Sequence, residues 1–148
     1  MDDLEAMTVA LTEARAALAH GDVPVGAVVL VDGKIVAQRH NERELTGDPT
    51  AHAEVLALRD AAAARGSWRL DDATLVVTLE PCTMCAGAAI NARIERLVIG
   101  ARDLKAGAIV SLAGVGSDPR LSHEFTVRVD VAADECAELL TTFFAERR

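Results

Sequence analysis

Tyrosine is absent from the 148 residues, and the aromatic set is one tryptophan and three phenylalanines. A surface that grips bases mainly by aromatic stacking is therefore excluded. Any stacking falls on aliphatic walls or on Phe143 and Phe144, which core packing would equally explain. Cysteine is scarce and odd in number, at three. That excludes a fully paired disulfide framework and points to a reducing compartment. No apolar run approaches the ~20 residues of a membrane helix. The acidic start, Met1-Asp2-Asp3-Leu4-Glu5, lacks the basic residues and following apolar run of a secretory signal. A cytoplasmic protein with no membrane part is expected. Neither repeats nor a low-complexity linker divides the chain, and 51% of it is hydrophobic. One domain spanning residues 1–148 is expected.

Positive charge is also in short supply. The net charge of −8 argues against indiscriminate nucleic-acid binding. The balance is uneven, however. Residues 61–105 carry six bases against five acids, among them Arg93, Arg96, Arg102 and Lys105. This segment supplies either a local basic rim or an ordinary solvated surface.

Periodicity gives the elements. Leu4, Met7, Leu11, Ala14 and Leu18 recur at helical spacing and stop at His20-Gly21. Val25 to Val31 and Lys34 to Arg39 read as strands joined by a tight Asp32-Gly33 turn. Asn41 to Pro49 is a polar loop, after which Thr50 is placed to cap a helix carrying Ala51, Val55, Leu58 and Ala62. Ala73 to Leu79 is a β-branched-rich strand, and Pro81 opens a helix through about Ala92. Arg96 to Ala101 is the next strand. Phe125, Val127, Val129 and Val131 alternate as a half-buried strand does. Ala132, Cys136, Leu139, Leu140, Phe143 and Phe144 form the stripe of a terminal helix. The alternation predicts an α/β fold, a three-layer α/β/α sandwich around a mixed sheet of about five strands.

What the chain does contain is His52-Ala53-Glu54, followed by Pro81-Cys82-Thr83-Met84-Cys85. Imidazole and thiolate are zinc ligands, and a catalytic zinc takes three protein ligands and keeps one position for water. His52, Cys82 and Cys85 make three. Cys82 and Cys85 are three residues apart, so both sulfurs can face one ion. Glu54, two residues from a ligand, is placed to move protons at an activated water. A closed structural zinc module would need a fourth ligand. Three of the remaining candidates, Cys136, His20, His40 and His123, read otherwise: Cys136 as core, His20 as a helix end, and His40 as a strand end in solvent or loop. A thioredoxin-like redox pair gives no reason for the His-x-Glu.

The pattern H-x-E with P-C-x-x-C resembles that of the zinc deaminases. The flanking residues narrow the resemblance over nearly the whole chain. They include Val23 to Val28, Asn41, Asp48 to Glu54, Thr78 to Ala88, Gly100 to Asp103, Ala133 to Cys136, and Phe143-Phe144. The chain resembles the bacterial tRNA-specific adenosine deaminases of the cytidine deaminase-like superfamily. That resemblance implies one Zn2+ per subunit on His52, Cys82 and Cys85, with Glu54 as proton shuttle. It implies a homodimer that converts adenosine to inosine at the wobble position of a tRNA anticodon loop. Asn41 would then read an edge of the adenine, Val25 would form pocket wall, and Asp103 would contact a neighbouring ribose. Plain structural roles remain open for all three. The family usually carries Asn-His-Arg where this chain has Ser122-His123-Glu124, which puts an acid near the expected RNA path. Ile109-Val110-Ser111 is also less typical. The rival within the superfamily is a small-molecule cytosine, guanine or nucleoside deaminase.

Overall fold

The computed structural model describes residues 1–147; Arg148, the last residue of the expected single domain, lies outside the described residues. The helices are α1 (Asp3–Ala16), α2 (Arg43–Thr46), α3 (Ala53–Arg65), α4 (Thr83–Ala92) and α5 (Ala133–Ala145). The strands are β1 (Gly26–Val31), β2 (Lys34–His40), β3 (Ala73–Leu79), β4 (Arg96–Ala101) and β5 (Thr126–Arg128). They form one mixed sheet in the order β2-β1-β3-β4-β5. β1 is antiparallel to both β2 and β3, whereas β3, β4 and β5 run parallel. The expected three-layer α/β/α sandwich with a five-stranded mixed sheet is what forms. No helix among the described residues is long and apolar enough to cross a membrane.

Alternation along the central strands divides the core in two. Ala27, Val29, Leu75, Val77, Leu97 and Ile99 face α3 and α4. Val28, Leu30, Val76 and Val98 face α1 and meet Cys136 of α5. Both faces are covered, so these strands are apolar throughout, as buried strands in such sandwiches are. The β1–β2 turn is tight because Asp32 and Gly33 both have positive φ, 52° and 71°. Gly26 is required for a different reason. A Cβ there would overlap the Ala10 carbonyl, so its absence lets α1 lie directly on β1.

Several boundaries differ from the sequence reading. The buried stripe of α1 is Ala6, Met7, Ala10, Leu11 and Ala14, while Leu4 and Leu18 are exposed. Small alanines face the sheet because the helix packs so close to it. Residues 43–46 of the expected polar loop form the short α2. The alternating segment from Phe125 to Val131 contains only a three-residue strand at the sheet edge. Thr50 does not cap α3, and Pro81 does not open α4. His52 and Cys82 themselves occupy the positions before the first helical residue, both with extended backbone.

One ion-pair cluster fastens the start of α1 to the far end of the sheet. Asp3 accepts hydrogen bonds from Arg96 Nη1 at 2.8 Å and Arg128 Nη1 at 2.7 Å. Arg96 first and Arg128 with it hold the Asp3 carboxyl at about 2, against the opposing effect of burial. A depressed folded-state pKa contributes stability that is present above the ordinary carboxyl value and lost as pH falls through the folded one. Asp3→Asn is therefore expected to lower the unfolding free energy by about 2 kcal/mol at pH 7. The gap should close between about pH 4 and pH 2. Urea unfolding of both proteins across that range checks it, and a gap constant with pH would show that charge is not the cause.

Candidate active site

The site lies where β3 and β4 end, the usual position for ligands in sheets with parallel strands. The chain leaves β3 at Leu79, runs extended through Pro81 and Cys82, and enters α4, whose third residue is Cys85. His52 precedes α3, on the same side of the sheet. His52 Nδ1 is 3.6 Å from Cys82 Sγ and 3.5 Å from Cys85 Sγ. Two ligands on a tetrahedral zinc, with sulfur at about 2.3 Å and nitrogen at about 2.0 Å, lie about 3.5 Å apart. The three residues thus fit a zinc ion. They form the only such group of His, Cys, Asp and Glu among the described residues. Among the described residues no fourth protein ligand joins them: Cys136 is buried in the opposite core layer. His20 is paired with Asp22, His40 with Glu13, and His123 with the Ile94 carbonyl.

Two helix starts bring positive partial charge to this point, and the Cys85 N–H of α4 bonds to Cys82. Hydrogen bonds from Cys85 and then His52 draw the Cys82 thiol down to about 3. Its bond to Cys82 raises the His52 imidazole. The same Cys82 contact, with burial, pushes the Cys85 thiol up. A divalent cation is what allows both sulfurs to be thiolates together. Glu54, in the first turn of α3, is 4% exposed, and burial pushes its carboxyl above the ordinary range.

His52, Glu54 and Cys82 line a cavity of about 610 Å³, with Cys85 buried behind it. That is in the range of small-molecule sites. Val25, Asn41 and Asp103 line it too, so all three expected substrate contacts share the cavity with His52 and Cys82. Val25 is buried wall. Asn41 already has work to do, since its Oδ1 accepts the Ala53 N–H at 2.8 Å and its Nδ2 donates to the Val23 carbonyl at 3.0 Å. It thereby satisfies the first exposed donor of α3 in place of the Thr50 cap. One amide N–H and one lone pair remain for a ligand. Asp103 Oδ1 accepts the N–H groups of Lys105 and Ala106, which shapes its own loop. The opposite wall is α5, through Ala137, Leu140, Thr141 and Phe144. Phe143 is core, as its apolar position suggested, but Phe144 is half exposed on the cavity.

The basic rim is not the one expected. Arg102 and Lys105 line the cavity, but Arg102 is paired with Asp130, Arg96 is tied to Asp3, and Arg93 lies at the end of α4 over Trp68. Arg43 of α2 is the cation that sequence reading missed, because α2 was read as loop. Two carboxylates were missed as well. Asp22 is buried and accepts the N–H groups of Glu44 and Leu45, fixing α2 at the rim. Glu80 is buried beside the cavity. Burial alone would raise its carboxyl, but bonds from Ser111, Val110 and Asp103 outweigh that and hold it at about 2. Glu124 lies away from the cavity. Its neighbours His123 and Thr126 bond to Ile94 and Glu95, where β4 begins, so it sits at the opposite end of the sheet from the cavity. Within one subunit it cannot repel a ligand in the site.

Comparison with known proteins agrees with this geometry. The family model of MafB19-like deaminases matches residues 1–148. A tRNA-specific adenosine deaminase of Haemophilus influenzae is 47% identical over 99% of this chain and 85% of its own. One from Bacillus subtilis is 44% identical over 96% of this chain and 88% of its own. A solved structure from work on A-to-I editing by tRNA:A34 deaminases superposes with a TM-score of 0.89. It shares 46% identity and covers 92% of this chain and 99% of that one. The chain belongs to the MafB19-like deaminases and, more narrowly, to the tRNA-specific adenosine deaminase family.

Cys82→Ser and Cys85→Ser are expected to bind less than one metal ion per chain and to melt at lower temperature than the parent. The ion would tie two helix starts together, and metal binding free energy is folding free energy. Metal analysis with thermal unfolding checks this, and full zinc with parental stability in either variant would remove the residue from the ligand set.

Proposed function

We propose that this protein hydrolyses adenosine to inosine at the wobble position of a tRNA anticodon, with Zn2+ held by His52, Cys82 and Cys85. The observation that carries the reading is the three-ligand cluster opening on a nucleoside-sized cavity beside a buried carboxylate, in a chain 47% identical to a tRNA-specific adenosine deaminase. The ion, when bound, supplies Lewis-acid chemistry that makes water a nucleophile near neutral pH.

The remaining work falls to this chain's side chains. Deamination adds the oxygen of water to C6 of adenine and releases the exocyclic amine as ammonia. Glu54 takes the proton from the attacking water and delivers it to the ring nitrogen. It then moves the proton of the new hydroxyl to the leaving amine. A carboxyl whose pKa is raised by burial can both hold and release a proton near neutral pH. Val25 and Leu140 give the base apolar walls, and the free amide N–H of Asn41 is available to a ring nitrogen. Asp103 offers its second oxygen, which has no partner among the described residues, to a ribose hydroxyl. Arg43 and Lys105 attract phosphate to the cavity of an otherwise acidic protein, beside Arg102, which Asp130 already pairs. An anticodon loop presents its bases unpaired, so turning one into the cavity costs little. The working form is a cytoplasmic homodimer with one Zn2+ per subunit. Sedimentation velocity measures the assembly state.

Incubation with unmodified total tRNA, followed by inosine mapping, tests the reaction. Inosine at anticodon wobble positions supports it, whereas efficient turnover of free cytosine or guanine with no inosine in tRNA would assign a small-molecule deaminase. Glu54→Ala should retain its metal and fold while single-turnover inosine formation falls by roughly 10²–10⁴. Near-parental rates in the metal-loaded variant would assign proton transfer elsewhere. Asp103→Asn keeps an oxygen for the loop N–H groups but alters the other end of the side chain. It should reduce the preference for an RNA stem-loop over its 2′-deoxy counterpart. An unchanged ratio would confine Asp103 to shaping its loop.

A further inference from the structure

We propose that Glu80 is a positioning residue, whose buried carboxylate staples the substrate-facing segment 102–111 to the stretch of chain that carries the cysteine ligands. The substrate side of this proposal rests on the adenosine deaminase reading above; the staple itself is geometric.

Glu80 is 2% exposed and stands two residues before Cys82. Its Oε1 accepts the Asp103 N–H at 3.1 Å and the Ser111 hydroxyl at 2.5 Å. Its Oε2 accepts the N–H groups of Ile109, Val110 and Ser111 at 3.1, 2.9 and 3.0 Å. The donors come from both ends of one irregular segment, so a single side chain closes that segment into a loop. Between the two anchor points, Asp103, Leu104, Lys105 and Ala106 line the cavity. The Ala108 N–H adds a bond to the Pro81 carbonyl at 2.9 Å, a second stitch to the same stretch.

Irregular backbone buried against a cavity must find acceptors for its N–H groups. A carboxylate offers about four lone-pair sites, more than any other side chain, and the five donors here share them, three on Oε2 and two on Oε1. Gly107 fits the same arrangement, because a Cβ there would overlap both the Glu80 carboxyl group and the Asp103 carbonyl. Only glycine lets the loop pass over the carboxylate. Glu80 forms part of the cavity wall, but both its oxygens are engaged. It therefore acts through the loop, setting where Asp103 and Lys105 stand relative to Cys82. Displacement of such groups by 1 Å costs on the order of 10²-fold in rate.

The test compares zinc-loaded parent, Glu80→Gln and Ser111→Ala, using an anticodon stem-loop as substrate and amide hydrogen exchange as structural readout. Glutamine has the same shape but one acceptor oxygen, so its NH2 group must face N–H donors at one end of the loop. Glu80→Gln is expected to keep one zinc per chain. Amide exchange within 103–111 should rise by roughly tenfold or more, with α3 and α4 unchanged. KM should rise by roughly tenfold and kcat fall by less than about threefold. Ser111→Ala should move KM and exchange in the same direction by about threefold. A merely structural Glu80 would instead lose metal and kcat together, with KM and exchange in 103–111 unmoved, and that result would overturn the proposal. If Glu80→Gln does not fold, Ser111→Ala decides, and parental KM and exchange in that variant would also overturn it. If the parent protein forms no inosine in the stem-loop, the functional reading fails separately, while the exchange measurement still decides whether the staple exists.

Discussion

The meeting of His52 Nδ1 with the sulfurs of Cys82 and Cys85, at 3.6 and 3.5 Å, depends on two stretches of chain thirty residues apart arriving at one point. Each arrives in the same way. A strand or loop ends in an extended residue that is itself a ligand, and a helix starts immediately after it. The start of α4 gives the Cys85 N–H to the Cys82 sulfur, and both helix starts bring partial positive charge to the site. The sheet makes this possible. Because β3 and β4 are parallel, both end on the same edge, and the α3 start reaches that edge across β1 and β2. Asn41 at the end of β2 holds the α3 start directly, through the Ala53 N–H.

The rest of the site is arranged around that point in two kinds of material. One is aliphatic wall from Val25, Leu79 and the inner face of α5, which suits a flat apolar base and explains how a chain with few aromatics can hold one. The other is irregular loop, shaped by buried or partly buried carboxylates. Asp22 fixes α2 and so Arg43, Glu80 fixes the 103–111 segment, and Asp103 turns its own loop. A protein of net charge −8 thus spends part of its acid on internal hydrogen bonding near the cavity, leaving Arg43 and Lys105 facing it; Arg102 lines it too but is paired with Asp130.

The metal trio and Glu54 were legible in the sequence because their chemistry is written in short spacings, three residues for the cysteines and two for His52 and Glu54. The sandwich was legible because its central strands are apolar runs and its helices have clear stops. The helix starts were not. Thr50 and Pro81 have the right chemistry for helix entry, but the ligand residues must stay extended to reach one ion, which delays both helices by one or two residues. Arg43, Asp22 and Glu80 were missed for a common reason. Each acts through backbone N–H groups or a cavity formed by distant segments, and neither leaves a periodic trace. Glu124 was expected near an RNA path from the resemblance alone; it precedes β5, beside the start of β4 and away from the cavity.

X-ray absorption at the zinc edge tests the central claim most directly. The geometry requires two sulfurs at about 2.3 Å and two lighter ligands, one imidazole nitrogen and one exchangeable oxygen, at about 2.0–2.1 Å. That shell, with one zinc per chain, is the expected result. A shell of three or four sulfurs, or one that drops to no protein sulfur, would contradict an open site built on His52, Cys82 and Cys85.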